Sequence, residues 1–379
     1  MPADDHQRLA VHFGWVSLFQ DLGSKMVVPI VPLYLTVALG ASPVVVGIVD
    51  GVAAATVAVV APLAGRAVTS DRAPALVRLG YGLSSVAKVA LVAATSWFAV
   101  LVVRVFDRAG KGVRDAPRDL LLAGARPDKQ ASAFGIQQAM DKLGGAIGPL
   151  VGLAVYRGFD ESFDAVFVAA FVPCVLSVVL LFRRFPTAAD ASPPGSADQS
   201  VVLVAAQRRR IAILGIGAAA TVPVSLLIVR GLEQGADVTT VLIAFALLRM
   251  ATAVFAIPGG MLADRFGAGR MVALGNAVLV VAILVAIAMS SSSLLWVVLV
   301  LVGVSDALLR APTKAWLIQA GPPRARGAAL GSWNGVNAAA GLVAGLMIGL
   351  LWGSDGTAAL VVSASVVTAV TLAVAASTR

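Results

Sequence analysis

Hydrophobic and polar positions alternate along this chain in long blocks: apolar runs of roughly the 20 residues that a helix needs to cross a bilayer, separated by short polar breaks. Twelve spans are predicted, over residues 12–38, 43–65, 75–95, 96–115, 133–156, 164–182, 209–230, 236–259, 270–290, 293–313, 328–352 and 356–376. The alternating ten-residue segments of a membrane barrel are not seen. The predicted fold class is therefore an all-α membrane protein of twelve transmembrane helices. The longest polar break is rich in Pro, Ala, Ser and Asp and reads as a flexible linker, placed at 183–208. It separates a six-helix bundle over 1–182 from a second over 209–379.

An even number of spans puts both termini on one side. The loops on that side carry Arg66, Arg72, Arg126, Lys129, Arg183, Arg184, Arg208, Arg209, Arg210, Arg265, Arg270, Lys314, Arg324 and Arg326, whereas the opposite loops hold only Arg157 and Arg230 among several acids. Positive residues accumulate in cytoplasmic loops, so both termini are expected to be cytoplasmic. The first span is long, contains Asp21 and Lys25 and lacks a small-residue cleavage site, so it is expected to stay in the product.

Composition agrees and removes several classes of chemistry. Hydrophobic residues make up 59% of the 379 and charged residues only 13%, with a mean hydropathy of +0.92, far from the roughly one-quarter charged residues of a soluble domain. One cysteine, Cys174, allows no intrachain disulfide, and two histidines, His6 and His12, give a zinc site or a Ser-His pair almost nothing to be built from. No metal, no cofactor and no enzymatic activity are expected. Gly110-Lys111-Gly112 lacks the upstream glycine and the hydroxyl of a phosphate-binding P-loop, which disfavours an ATP-driven pump. The net charge of +9 follows from loop asymmetry, so no nucleic-acid partner is implied.

The halves repeat. Ser70-Asp71-Arg72 followed by Leu79-Gly80 has its counterpart in Ala263-Asp264-Arg265 followed by Leu274-Gly275, and Ala116-Pro117 in Ala311-Pro312. Six spans per half make the two parallel repeats, an arrangement common in secondary transporters. The loop GGMLADRFGAGR has turn chemistry: Gly260 and Gly267 permit close approach and positive φ, and Asp264 can pair with Arg265 or Arg270. In the fifth span, Gly144, Gly148, Pro149 and Gly152 form a small-residue face with a proline bend.

These motifs resemble the major facilitator superfamily. Its loop signature G-x-L-A-D-R-x-G-R-[RK] is close to the second-half copy and degraded in the first, where Asp71 and Arg72 remain. The resemblance implies a conformational latch made by Asp71, Arg72, Gly260, Asp264, Arg265, Gly267 and Arg270. The fifth-span G-x-x-x-G-P-x-x-G pattern is similar to that of the superfamily's drug/proton antiporters. The fourth-span run R-x-x-D-R-x-G-K-G-x-R-x-x-P-R-D resembles an element of a prokaryotic branch, from which the chain departs at Lys25, Asp50 and Gln138.

Buried charge supplies the candidate chemistry, because ionisable groups inside a membrane are costly and mark function by default. Arg104, Asp107, Arg108 and Lys111 follow i, i+3, i+4, i+7 spacing and share a helical face. Proton coupling is assigned to Asp21 first, with Asp107 and Asp141 behind it, beside Arg104. Gln20, Lys25, Asp50, Arg108, Gln137, Gln138, Trp333, Asn334 and Asn337 are candidates for the substrate cavity, and Lys88 and Lys142 are further buried cations. Mutual pairing that merely locks helices together is the alternative for several of these. More Lys and Arg than Asp hints at an anionic solute unless salt bridges consume the surplus. The expected function is secondary transport of a small organic solute, anionic or drug-like, by alternating access, as a proton-coupled exporter working as a monomer in the bilayer. Symport for nutrient uptake is the alternative, and a non-transporting scaffold or sensor stands behind both.

Overall fold

A computed structural model describes residues 3–67, 72–123, 130–182, 203–322, 325–353 and 356–377. Among them there is no strand, and the elements run α1 (Ala3–Val27), α2 (Ile30–Leu33), a π-helical turn (Tyr34–Ala38), α3 (Pro43–Ala67), α4 (Ala73–Ala90), a 3-10 turn (Leu91–Ala93), α5 (Trp97–Ala123), α6 (Gln130–Gly158) and α7 (Phe163–Phe182). The chain continues through α8 (Ala205–Ala220), α9 (Val224–Glu233), α10 (Val238–Phe266), α11 (Ala268–Ile287), α12 (Leu294–Gln319), α13 (Arg326–Leu350) and α14 (Thr357–Ala376). Among the described residues, ten of the resulting spans are long and apolar enough to cross a membrane. The remaining two are α5 and α6, the helices that carry the buried charge. The protein is thus a twelve-span all-α membrane protein. Leu63, Val86, Val172 and Ile257 are among its exposed large apolar side chains, as a lipid-facing surface requires.

Two spans differ from the expected continuous helices. The first breaks at Val28-Pro29, between α1 and α2, and the seventh at Thr221-Val222-Pro223, between α8 and α9. Proline removes an amide donor, and the second break is closed by the fold's own groups. Thr221 Oγ1 donates to the Gly217 carbonyl at 2.8 Å, Ser363 Oγ to the Ala220 carbonyl at 2.6 Å, and the Leu226 and Leu227 amides to the Pro223 carbonyl. The eighth span is longer than predicted, because Met261-Leu262-Ala263 are good helix formers and carry the helix through the expected loop. Only Gly267, at φ +94°, separates α10 from α11.

The chain forms two compact units, Met1–Val31 with Thr56–Ser196 and Pro32–Ala55 with Ala197–Arg379. Each contains the same helix crossing. In the first, α4 and α5 approach so closely that a β-carbon on Gly80 would lie 2.6 Å from Arg114 Cβ, and one on Gly110 would lie 2.7 Å from the Gly80 carbonyl. In the second, a β-carbon on Gly275 would meet Leu309 Cδ2 at 2.9 Å, and Ser305 Oγ donates to the Gly275 carbonyl at 2.9 Å. Gly80, Gly110 and Arg114 therefore correspond to Gly275, Ser305 and Leu309, an offset of 195 throughout. This register fixes what faces what further along the two helices.

Candidate transport site

The α4–α5 crossing in the first unit sets a four-residue ion network. Lys88 projects from the last turn of α4 and is 2% exposed, and its Nζ lies 2.5 Å from Asp107 Oδ1. Asp107 Oδ2 faces Arg108 Nη2 at 2.9 Å and Arg104 Nη1 at 3.5 Å. One buried carboxylate therefore serves three cations. Ser84 Oγ donates to the Asp107 main-chain carbonyl at 3.0 Å, adding a tie between the helices. Two turns further along α5, the Arg114 guanidinium lies over the Tyr81 ring at 4.5 Å, a cation–π contact. Asp115 Oδ1 accepts ion pairs from Arg114 at 3.8 Å and Arg118 at 3.6 Å.

The same positions in the second unit are apolar. With the offset of 195, Lys88, Arg104, Asp107 and Arg108 correspond to Ile283, Leu299, Val302 and Gly303. Ile283 and Leu299 are buried, and Gly303 allows α12 to touch α10, where Thr252 Oγ1 donates to the Gly303 carbonyl at 3.2 Å. The fold closes this crossing without charge in one repeat. A buried ion pair often holds helices no better than apolar residues of similar volume, so the network in the first unit calls for a reason other than folding.

A second group of charges gathers where α1 meets α6. A β-carbon on Gly148 would lie 2.7 Å from the Leu22 carbonyl, and one on Gly152 would lie 3.4 Å from Met26 Cα, so the small face of α6 rests on the backbone of α1. Asp21 and Lys25 lie 3.8 Å apart one turn from each other on α1, and Gly145 of α6 looks onto both. Asp141, one turn before Gly145, interacts electrostatically with Asp21, Lys25, Arg118 and Lys111, and Lys111 with Asp21. Asp21, Lys25, Arg104, Asp107, Arg108 and Asp141 thus belong to one polar region of the first unit, built on α1, α4, α5 and α6.

Other sequence candidates lie elsewhere or apart. Gln20 is buried and its Oε1 accepts from Ser177 Oγ of α7 at 2.9 Å, which ties it to helix packing there. Asp50 is in the part of α3 that groups with the second unit, between Gly47 and Gly51, which pack on α13 at Gly345 and Leu342. The helix α6 includes Gln137 and Gln138, but their side chains lie outside the described residues, as does Asp71. Trp333 of α13 is partly buried against the apolar cluster around Ile211, Leu214 and Trp316, while Asn334 and Asn337 are exposed. Arg72, Asp264, Arg265 and Arg270 are exposed, the Arg265 guanidinium 5.3 Å from the Phe266 ring; Gly260 faces open space and Gly267 takes the positive φ. Asp306 pairs with Arg310 at 2.8 Å on α12.

Two features were beyond sequence reasoning. Lys88 could be identified as a buried charge, but its partner depends on the α4–α5 register. Arg230, Glu233 and Trp352 form a cluster in the second unit: Trp352 Nε1 donates to Glu233 Oε1 at 2.7 Å and Arg230 Nη1 lies 3.7 Å from Glu233 Oε2. No spacing in the sequence links residue 352 to residue 233.

Twelve spans in two repeated units, with buried charge concentrated in one, define a secondary-transporter architecture. A family model described as Major Facilitator Superfamily matches residues 13–229 and 211–378, and the chain belongs to that superfamily. Over 353 residues it is 26% identical to an uncharacterized MFS-type transporter of Methanocaldococcus jannaschii, covering 89% of this chain and 87% of that one. The solved structure of the nucleoside transporter NupG aligns with a TM-score of 0.78 at 13% identity, over 98% of this chain and 99% of that chain. A POT family transporter in complex with 5-aminolevulinic acid aligns with a TM-score of 0.77 at 14% identity, over 97% of this chain and 95% of that chain. These likenesses at low identity establish the fold. The protein is a multi-pass membrane transporter embedded in a lipid bilayer.

Proposed function

We propose that the chain is a proton-coupled antiporter that exports a small organic solute by alternating access across the cytoplasmic membrane of a prokaryote, as a monomer with both termini cytoplasmic. The observation that carries the reading is the meeting of Asp21, Lys25 and Asp141 at the glycine-faced α1–α6 seam. Two carboxylates at one seam, with a lysine beside them that favours their charged forms, are an arrangement that can take up and release one proton. Asp107 is less suited, because both its oxygens are occupied by cations. Asp21 is therefore the principal proton carrier, Asp141 its partner, and Arg104 and Asp107 the fixed charges beside them. Lys25, Asp50, Arg108, Gln137, Gln138, Trp333, Asn334 and Asn337 are assigned to the solute's path, and Asp264 with Arg265, Gly267 and Arg270 to the latch between conformations.

Purified protein in liposomes tests this with a solute whose accumulation changes on expression. Asp21→Asn should abolish transport driven by a pH gradient while leaving exchange without a gradient intact. Undiminished coupling in that variant removes Asp21 from the mechanism. In the wild type, an inward-acid gradient should drive extrusion; uptake under the same gradient would identify a symporter.

A further inference from the structure

The surplus of cations in the first unit can be followed to particular atoms. On α5 each described carboxylate is shared, Asp107 among three cations and Asp115 between two. Arg108 spends Nη2 on Asp107, and its buried Nε has no acceptor among the described residues. Lys111, three residues further on the same helical stripe, makes no ion pair or hydrogen bond among the described residues. Asp21 and Asp115 act on it electrostatically without contact, and so does Arg108, a like charge. Two cationic donors one turn apart thus stand side by side with no hydrogen-bond acceptor among the described residues, in the fields of Asp115 and Asp21 on one hand and of Arg114 on the other. The second unit has Gly303 and Asp306 at the corresponding positions, so the crossing itself does not demand this pair of cations.

We propose that the transported solute is a small oxyanion, a carboxylate or a phosphate ester, held by the Nε edge of Arg108 and by Lys111 Nζ. This names the solute of the transport reading above and rests on it. Asp107 and Lys88 are positioning residues: Asp107 holds Arg108 by Nη2 and leaves its Nε unspent, while Lys88 holds Asp107. Asp107 itself offers a cationic solute nothing, since both its oxygens are taken. The guanidinium edge and the ammonium together offer charge-assisted hydrogen bonds to two oxygens of one anion.

Thermal unfolding of the full chain in detergent, at constant ionic strength, tests the class with sodium benzoate, disodium succinate, phenyl phosphate and, as the opposite charge, tetraphenylphosphonium. At least one oxyanion should raise the melting temperature saturably, and which one does so separates carboxylate from phosphate ester. Lys111→Gln and Arg108→Gln should each raise the half-saturating concentration about tenfold or more. Arg108→Lys, which keeps the charge and loses the planar fork, should raise it as well, whereas Lys111→Arg should retain binding. Arg157→Gln, at an exposed pair with Glu161, should change nothing. Stabilisation by tetraphenylphosphonium alone, by none of the oxyanions, or equally in the Lys111→Gln variant overturns the proposal. If the oxyanion binds as described but a pH gradient does not move it in liposomes, the solute class stands and proton antiport falls. Gradient-driven export of tetraphenylphosphonium without oxyanion binding gives the reverse.

Discussion

Replacing Asp107 by valine installs in the first unit the residue that the second carries at position 302. The substitution strands Lys88, which is 2% exposed and pairs with Asp107 at 2.5 Å. Removing one partner of a buried pair costs about 3–5 kcal/mol, most of it from the charge left behind. Lys88→Ile is the milder change, because Asp107 keeps Arg108 at 2.9 Å and Arg104 at 3.5 Å; the lost charged hydrogen bond is worth about 1.5–3 kcal/mol. The double variant Lys88→Ile with Asp107→Val reproduces the Ile283 and Val302 set and removes the stranded amine. Its cost should fall below that of Asp107→Val alone, with a coupling of about 0.5–3 kcal/mol between neighbouring sites. Adding Arg104→Leu and Arg108→Gly completes the transplant of the second unit's residues and should give a folded protein without transport. Thermal unfolding in detergent gives the stability order, and liposome flux gives the activity. Equal costs for the two single variants, or a double variant whose cost equals their sum, would refute the stranded-charge argument, and a fourfold variant that fails to fold would refute the network's dispensability for folding.

Other substitutions probe the seams. Gly148→Ala places a β-carbon 2.7 Å from the Leu22 carbonyl and 2.8 Å from Lys25 Cβ, and should destabilise by about 1–3 kcal/mol, the range for overpacking, read as a lower melting temperature and weaker gradient-driven flux. Gly267→Ala meets a φ of +94° at the joint between α10 and α11, and should lower stability by about 1 kcal/mol or more. Gly260→Ala, inside α10 and facing open space, should instead be neutral or stabilising by about 0.5–1 kcal/mol; a loss at Gly260 with none at Gly267 would contradict the backbone geometry of the signature.

What the sequence disclosed depended on range. The stripe of Arg104, Asp107, Arg108 and Lys111 is legible because 3.6-residue periodicity acts within one helix. The partner of Asp107 is not, because Lys88 reaches it only through the Gly80–Gly110 approach, a register between helices. The α6 glycines announce a close-packed face, yet not that α1 is the helix lying on it. Prolines gave mixed signals: Pro29 and Pro223 mark real breaks, whereas Pro62, Pro117, Pro149, Pro173, Pro258 and Pro312 lie inside continuous helices. Neighbouring helices decide which outcome follows, since they must meet the groups a proline frees.

The interruption in the seventh span bears on the membrane as well as on the protein. At 1.5 Å per residue, the 16 residues of α8 reach about 24 Å and the 10 residues of α9 about 15 Å. Neither crosses a hydrocarbon core of about 30 Å alone, so the joint at Thr221–Pro223 sits at membrane depth rather than at the headgroups. Ser363 and Thr221 already serve carbonyls at the end of α8. The bilayer's thickness is therefore matched by the sum of two rods and the angle fixed between them, rather than by the length of one straight helix.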